Sequence, residues 1–203
     1  MSDRDHWEQR YRSQDTPWDT GQPSSELRRV IAEERIAPCA ALEVGCGTGT
    51  NAVWLAQLGF TVTAVDISPL AIAQAKRKAA DAGLAVRWLT ADLLEGPDLG
   101  GAYGFVFDRG CYHVVRRVDV QAYLRALRAA TQAGTLSLVL AGNAREPHSP
   151  GPPVVTEEEI KSELGQLYDI VRLREFRFDQ EEKGGVHYLG WSCFLRRTCS
   201  API

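Results

Sequence analysis

The stretch Ala41-Leu-Glu-Val-Gly-Cys-Gly-Thr-Gly-Thr50 runs an apolar strand into three alternating glycines. A short helical run, Asn51–Leu58, follows and stops at Gly59. A second apolar strand, Thr61–Val65, then ends in Asp66, about twenty residues beyond the first glycine. Glycines at alternate positions let backbone approach a ligand where a Cβ would clash. A carboxylate at the tip of the next parallel strand can accept hydrogen bonds from both hydroxyls of a ribose. The pair predicts a nucleoside-containing cofactor at the carboxyl edge of a parallel sheet.

The rest of the chain continues the alternation. Further strands are predicted at Ala85–Thr90, Tyr103–Phe107 and Thr135–Ala141, with nearly continuous apolar runs that suit parallel strands covered on both faces. A helix capped by Ser68 with Pro69 in its first turn runs to Gly83. Another lies around Asp119–Thr131, with Val120, Tyr123, Leu124 and Leu127 on one face. Thr156-Glu-Glu-Glu159 has capping-box spacing ahead of Ile160, Leu164 and Leu167. Ile170–Phe176 and Tyr188–Phe194, joined by a polar stretch with Gly184-Gly185, read as an antiparallel hairpin. The sum is an α/β fold: a doubly wound, mostly parallel seven-stranded sheet with helices on both faces and a C-terminal antiparallel hairpin. At 203 residues it suits one domain. Residues 1–35 form an N-terminal lid or helical segment, and 36–203 form a Rossmann-like core. The proline-bearing segment Gly142–Pro153 follows the fifth strand, where it either walls the ligand edge or serves as a stiff connector.

Composition narrows the class. A net charge of −3 and a pI near 5.8 argue against a nucleic-acid surface. The one basic cluster, Arg172/Arg174/Arg177, is offset by Glu175, Asp179, Glu181 and Glu182 and reads as a solvated face. Five cysteines without Cys-x-x-Cys spacing suggest neither disulfides nor a metal site, hence a reduced, cytoplasmic protein. No signal peptide or membrane-length apolar run is seen. Nothing in the pattern sets an oligomeric state.

Two cofactor types use a strand–loop–helix of this kind. In the dinucleotide fingerprint Gly-x-Gly-x-x-Gly, a pyrophosphate sits on the turn. Here Gly45, Gly47 and Gly49 bring the third glycine one residue early. Glu43, just ahead of the loop, would repel a pyrophosphate. S-adenosylmethionine has no phosphate, and its ammonium suits a carboxylate at Glu43. Glu43-Val-Gly-Cys-Gly-Thr-Gly49, Asp66 and Ala91-Asp92-Leu93 resemble the first, ribose-binding and adenine-edge motifs of class I S-adenosylmethionine-dependent methyltransferases. The resemblance covers nearly the whole chain.

A narrower resemblance lies in Trp7, Tyr11 and Trp18 and in Phe107-Asp-Arg-Gly110. These are similar to the thiopurine S-methyltransferase group, which includes thiol, halide and tellurite-resistance methyltransferases. Asp15-Thr-Pro-Trp-Asp-Thr-Gly21 resembles bacterial members. The resemblance implies that the aromatic trio closes over the cofactor and that Arg109 lies beside it. It implies a cofactor site of Trp7, Tyr11, Trp18, Glu43, Gly45, Cys46, Gly47, Thr48, Gly49, Asn51, Asp66, Ile67, Ala91, Asp92, Leu93 and Arg109. Physical spacing agrees: Trp7 and Tyr11 share one face of a helix, and Pro17 sets a turn that folds Trp18 back.

Methyl transfer from a sulfonium is an in-line displacement that needs alignment and exclusion of water rather than an enzyme nucleophile. A thiolate or halide needs no general base, whereas an amine or hydroxyl does. The fourth-strand segment Asp108-Arg-Gly-Cys-Tyr-His-Val114 supplies substrate-side candidates: Arg109 for an anion, Tyr112 as a wall or phenol donor, and His113 as the best available base or an orienting group. Cys111 and Cys46 read as small fillers. The expected function is methylation of a small molecule, a thiol, thiopurine-like, selenium or tellurium species or halide, with the product S-adenosylhomocysteine. The alternatives are a small O- or N-acceptor, an NAD(P)-dependent oxidoreductase, or a non-catalytic cofactor-binding protein.

Overall fold

A computed structural model describes residues 3–146, 151–179 and 187–199. Two helices, α1 (Asp3–Arg12) and α2 (Ser25–Glu33), precede β1 (Ala40–Val44). Then come α3 (Thr50–Gln57), β2 (Thr61–Asp66), α4 (Pro69–Asp81), β3 (Arg87–Thr90), β4 (Tyr103–Arg109), α5 (Tyr112–Ala130) and β5 (Thr131–Asn143). The last elements are β6 (Val154–Val155), α6 (Glu157–Leu164), β7 (Tyr168–Arg177) and β8 (Leu189–Arg197).

The strands form one sheet in the order β3-β2-β1-β4-β5-β8-β7. This is the expected seven-stranded path, and the two-residue β6 adds to it by pairing with the end of β5. β1 to β5 are parallel, and β8 runs antiparallel to both β5 and β7. The chain steps outward from β1 to β3 and then returns to lay β4 against the other side of β1. That reversal leaves a crevice between the carboxyl ends of β1 and β4, where ligands bind in open α/β sheets.

Alternation along the strands separates two cores. Phe105, Phe107, Leu138 and Leu140 pack with Leu27 and Val30 of α2, Leu55 of α3 and Ile72 of α4. Leu42, Val44, Val106 and Val139 pack with Tyr123, Leu124 and Leu127 of α5 and Ile160 of α6. Helices therefore cover both faces, and the intervening strands are apolar on each side. The predicted caps are in place. Ser68 accepts from the Ala71 N–H with Pro69 opening α4, and Thr156 with Glu159 forms a reciprocal capping box at α6.

Three expectations change. α5 starts at Tyr112 rather than at Asp119, so Tyr112–Val114 belongs to a helix and not to the fourth strand. At Asp119 the backbone leaves helical geometry (φ −155°, ψ 94°), and its side chain accepts from the Ala122 N–H at 2.8 Å. The apolar stripe that flags this helix begins only after that break. β3 is also shorter than expected, beginning at Arg87. Finally, Arg172 and Arg174 do not balance nearby acids on their own strand. They pair across to α2, with Glu34 at 2.5 Å and Glu33 at 2.8 Å, while Arg177 pairs with Glu146 at 3.0 Å. Asp179 instead accepts from the Ser25 N–H and hydroxyl. Pro147, Pro150, Glu181, Glu182 and Gly184-Gly185 lie outside the described residues. Among the described residues no helix is long and apolar enough to cross a membrane.

Candidate active site

The glycine loop joins β1 to α3 with Gly45, Gly47 and Gly49 all at positive φ, a conformation that L side chains rarely adopt. Each glycine also admits a neighbour. A Cβ on Gly45 would come within 2.7 Å of the Cys111 Cβ, one on Gly47 within 2.8 Å of the Tyr11 hydroxyl, and one on Gly49 within 2.5 Å of the Trp88 ring. The alternation thus packs the loop against the β4–α5 connection, the N-terminal segment and β3, besides baring backbone to the crevice.

Around this loop lies a cleft of about 600 Å³, lined by the predicted Trp7, Tyr11, Trp18, Glu43, Gly45, Cys46, Gly47, Thr48, Asn51, Asp66, Ile67, Ala91, Asp92, Leu93 and Arg109. Its size falls in the range of small-molecule sites. Gly49 sits behind it, packed on Trp88 and Ala75.

Glu43 is sealed beneath the cleft. Asn51 Nδ2 donates to one carboxylate oxygen at 3.3 Å, and the other oxygen has no partner among the described residues. Asn51 is itself aimed by accepting from the Ser24 N–H at 2.9 Å. Burial pushes the Glu43 carboxyl up to about 8, because charge is disfavoured away from water. Asp66 is better provided for: its oxygens accept from the Gly47 and Ser68 N–H groups at 2.8 and 2.9 Å. Each keeps further lone-pair capacity. Asp92 caps the short turn Leu93–Glu95 by accepting from Leu94 N–H, so it is a turn acid as well as a cleft residue.

The aromatic trio comes together as its spacing predicts. Trp18 meets Trp7 edge-on at 5.6 Å and Tyr11 at 6.3 Å, and the Arg10 guanidinium lies 4.6 Å over the Trp18 ring. Asp19, the next residue, accepts from Thr48 Oγ1 at 2.5 Å, and Lys78 Nζ donates to Thr48 and Thr50 at 2.9 and 2.5 Å. Glu8 of α1 accepts from the Ser68 hydroxyl at 2.5 Å. Arg109 donates one arm to the Trp18 carbonyl (2.9 Å) and another to the Asp179 carbonyl (2.7 Å), and it stacks near Phe178. It therefore ties the N-terminal segment and the end of β7 to the sheet.

The β4–α5 turn redistributes the substrate-side candidates. Asp108 is fully buried and accepts from the Cys111 and Tyr112 N–H groups and the Tyr123 hydroxyl, so it organises the turn. Tyr112 points away from the cleft: its ring is buried and its hydroxyl donates to Glu163 at 2.7 Å. Cys111 and Cys46 line the cleft, but burial raises both thiols and keeps them protonated, as fillers. His113 lines the cleft too, and its Nδ1 accepts from the Gly142 N–H at 2.9 Å. An imidazole accepting at Nδ1 carries its proton on Nε2. Burial and the Arg109 charge push it down to about 3. His113 is therefore a neutral donor, which fits the orienting alternative read from sequence rather than the base.

Known proteins show what kind of protein carries this cleft. Residues 41–134 match a family described as a methyltransferase domain. A curated relative, the 2-heptyl-1-hydroxyquinolin-4(1H)-one methyltransferase of Mycobacteroides abscessus, is 29% identical over 200 residues, covering 86% of each chain. The chain is a methyltransferase. The probable S-adenosyl-L-methionine-dependent methyltransferase TehB of Haemophilus influenzae is 24% identical over 158 residues, 78% of this methyltransferase, which spans only 54% of TehB's length. A solved structure from a study of the conversion of a disulfide bond into a thioacetal group during echinomycin biosynthesis matches the fold. It covers 98% of this chain and 93% of its own, at 24% identity and a TM-score of 0.83. The oxidoreductase and non-catalytic alternatives are set aside.

The residues of this methyltransferase fit S-adenosylmethionine. The unpartnered oxygen of buried Glu43 suits an ammonium, Asp66 stands at the strand tip that a ribose reaches, and the second oxygen of Asp92 remains for an adenine amine. Sequence reading misses Glu8, Arg10, Lys78 and Phe178. Asp19 is visible in sequence as an acid beside Trp18, but Lys78 lies a full helix away and only the packing of α4 brings it in. Phe178 had a topological signal: β7 is antiparallel to β8, which is antiparallel to β5, so β7 must end at the ligand edge.

Proposed function

We propose that the protein transfers the methyl group of S-adenosylmethionine to a small molecule whose accepting atom is a soft or readily ionised nucleophile, a thiol or a related sulfur, selenium or tellurium species or halide. The observation carrying this reading is that, among the described residues, the three groups beside the β4–α5 turn and the glycine loop that could act as a general base are each committed elsewhere. His113 holds its proton on Nε2, Asp108 is sealed by three donors, and Asp19 is tied to Thr48. Amines and ordinary hydroxyls would need such a base.

When bound, the cofactor supplies an electrophilic methyl carbon on a sulfonium. The chain's contribution is placement: Glu43 attracts the ammonium, Asp66 the ribose, and the face of Trp18 suits a cation or an adenine. The clasp through Asp19, Lys78 and Arg109 makes residues 1–35 a lid that excludes water. The unpaired state of all five cysteines supports a reduced, cytoplasmic setting, and the shared sheet supports a single domain over 1–203.

A second reading, an O-acceptor, is favoured by the mycobacterial relative, whose name carries a 1-hydroxyquinolone. Incubation with methyl-labelled S-adenosylmethionine and a panel of thiols, halides, N-hydroxy heterocycles and amines tests both. Label in thiols or halides supports the first, label confined to N-hydroxy compounds the second, and label confined to amines overturns both acceptor assignments.

A further inference from the structure

His113 sits at the start of α5 on the acceptor side of the glycine loop, and the cleft around it has two unlike parts. One is the imidazole itself, only 6% exposed. Its Nδ1 is held by the Gly142 N–H of β5. Its Nε2 edge lies below Gly110, where even a Cβ would come within 3.3 Å of that nitrogen. Gly110 lines the same cleft. Nε2 makes no hydrogen bond among the described residues, yet it is not among the fully sealed, unpartnered polar atoms. It is an N–H with fixed direction, open to whatever enters.

The other part is apolar. Val114, Val115 and Val118 follow His113 along the first half of α5 and line the cleft, with Pro152 and Pro153 also on the lining. Val118 is 63% exposed and is the only large, exposed apolar side chain among the described residues that lies on the cleft, since Leu58 and Val171 do not. The kink at Asp119 ends this half-helix beside Val118. With Val114, Val115, Pro152 and Pro153, Val118 gives this end of the cleft the apolar lining typical of small-molecule sites.

We propose that His113 is the acceptor-binding donor: its Nε2–H holds an acceptor that arrives already anionic, an arenethiolate or comparably acidic heteroatom, while Val114, Val115 and Val118 take the apolar body. This rests on the methyl-transfer reading above. The charged and titratable groups around the imidazole are Arg109 and Asp108 from the end of β4, Cys111 from the turn, and Asp92 and Glu43 across the cleft. Arg109 adds positive potential for an anion, and the Asp108 oxygens face their own three donors behind the cleft. The acceptor's lone pair forms the new bond to the methyl carbon, the carbon–sulfur bond breaks with its electrons left on sulfur, and anion and sulfonium both become neutral. No proton moves. His113 touches the anion and fixes its place, and once the cofactor is bound the working pH is set by the acceptor.

The test uses para-substituted thiophenols of graded acidity with the full-length enzyme. For the wild type held saturated with S-adenosylmethionine at every pH, the pH midpoint of kcat/KM for the thiophenol tracks each thiophenol's own pKa. Nitrogen-15 spectra of the ligand-free protein show His113 protonated at Nε2 and not titrating between about pH 5 and pH 9. His113→Leu raises the thiophenol KM at least tenfold while S-adenosylhomocysteine affinity by calorimetry stays within twofold, and His113→Gln, which keeps an N–H donor, recovers part of the loss. A His113 that titrates near neutral pH, or a pH limb that stays fixed as the acceptor changes, overturns the proposal. So does transfer confined to amines, or to no thiophenol. If S-adenosylhomocysteine does not bind at all, the methyl-transfer reading itself fails, whatever the imidazole does.

Discussion

A buried carboxyl held near 8 keeps its proton at neutral pH, so Glu43 enters the binding equilibrium as a neutral acid. Pairing with an ammonium requires the carboxylate. Cofactor binding then releases a proton below about pH 8, and affinity climbs with pH toward that value by up to about tenfold per unit. Calorimetry in two buffers of different ionisation enthalpy measures the release directly. Glu43→Gln abolishes it and weakens cofactor binding about 10- to 100-fold, the worth of one hydrogen bond to a charged group. The position of Glu43 is legible in sequence, because it directly precedes the glycine loop. Its proton is not, because desolvation depends on Asn51, Ser24 and the helices that close over it. His113 shows the same limit more sharply: residue type suggests a base, and a single backbone N–H from another strand makes it a donor.

Between elements, the N-terminal segment is fastened at points far apart in sequence: Glu8 on Ser68, Asp19 on Thr48 and Thr50, and the Trp18 carbonyl on Arg109. Asp19→Ala removes the acceptor at the centre of this clasp. Hydrogen exchange in residues 3–24 should quicken and the cofactor off-rate rise, with the unfolding midpoint nearly unchanged, since the second core does not involve Asp19. Unchanged exchange in that segment would show the clasp to be dispensable. Thr156→Ala, by contrast, removes one half of the α6 capping box and should cost about 1 kcal/mol, a fall of about 2–4 °C in Tm for a chain of this size. Thermal scans of the two variants separate a local latch from a structural cap. Caps and strands were readable because Ser68-Pro69, Thr156–Glu159 and the apolar runs act through near neighbours. The first half of α5 was not. Val114 and Val118 line the cleft and only Val115 also packs on the core, so this half lacks the stripe that marks a packed helix.

For the molecule as a whole, buried acids and a buried imidazole set opposing pH slopes. Glu43 and Asp108 are held at about 8 and about 7 against ordinary values of 4.5 and 3.8. The unfolded chain therefore releases protons that the fold retains, and both acids lower stability as pH rises through that window. His113 is held at about 3 against 6.5, so the unfolded chain takes up a proton that the fold refuses, and stability falls as pH drops from 6.5. Above 6.5 the buried acids set the slope, with Asp66, also raised by burial, acting in the same direction. Urea midpoints of the ligand-free protein should fall from pH 6.5 to pH 8, and less steeply in Glu43→Gln. A flat profile in the wild type would place both carboxyls in wetter surroundings. The sheet order and the crevice were recoverable from the glycine spacing and the terminal hairpin, because topology rules leave few alternatives. The grip of Arg109 was not, and it has a consequence for biosynthesis. That side chain holds the carbonyls of Trp18 and Asp179, while Ser25 waits for an aspartate 154 positions later. On a ribosome adding about 5–20 residues per second, those partners are roughly ten to thirty seconds apart. The first part of the chain to be made is among the last to settle, and a nascent chain stalled before Asp179 would carry the glycine loop with its cover still loose.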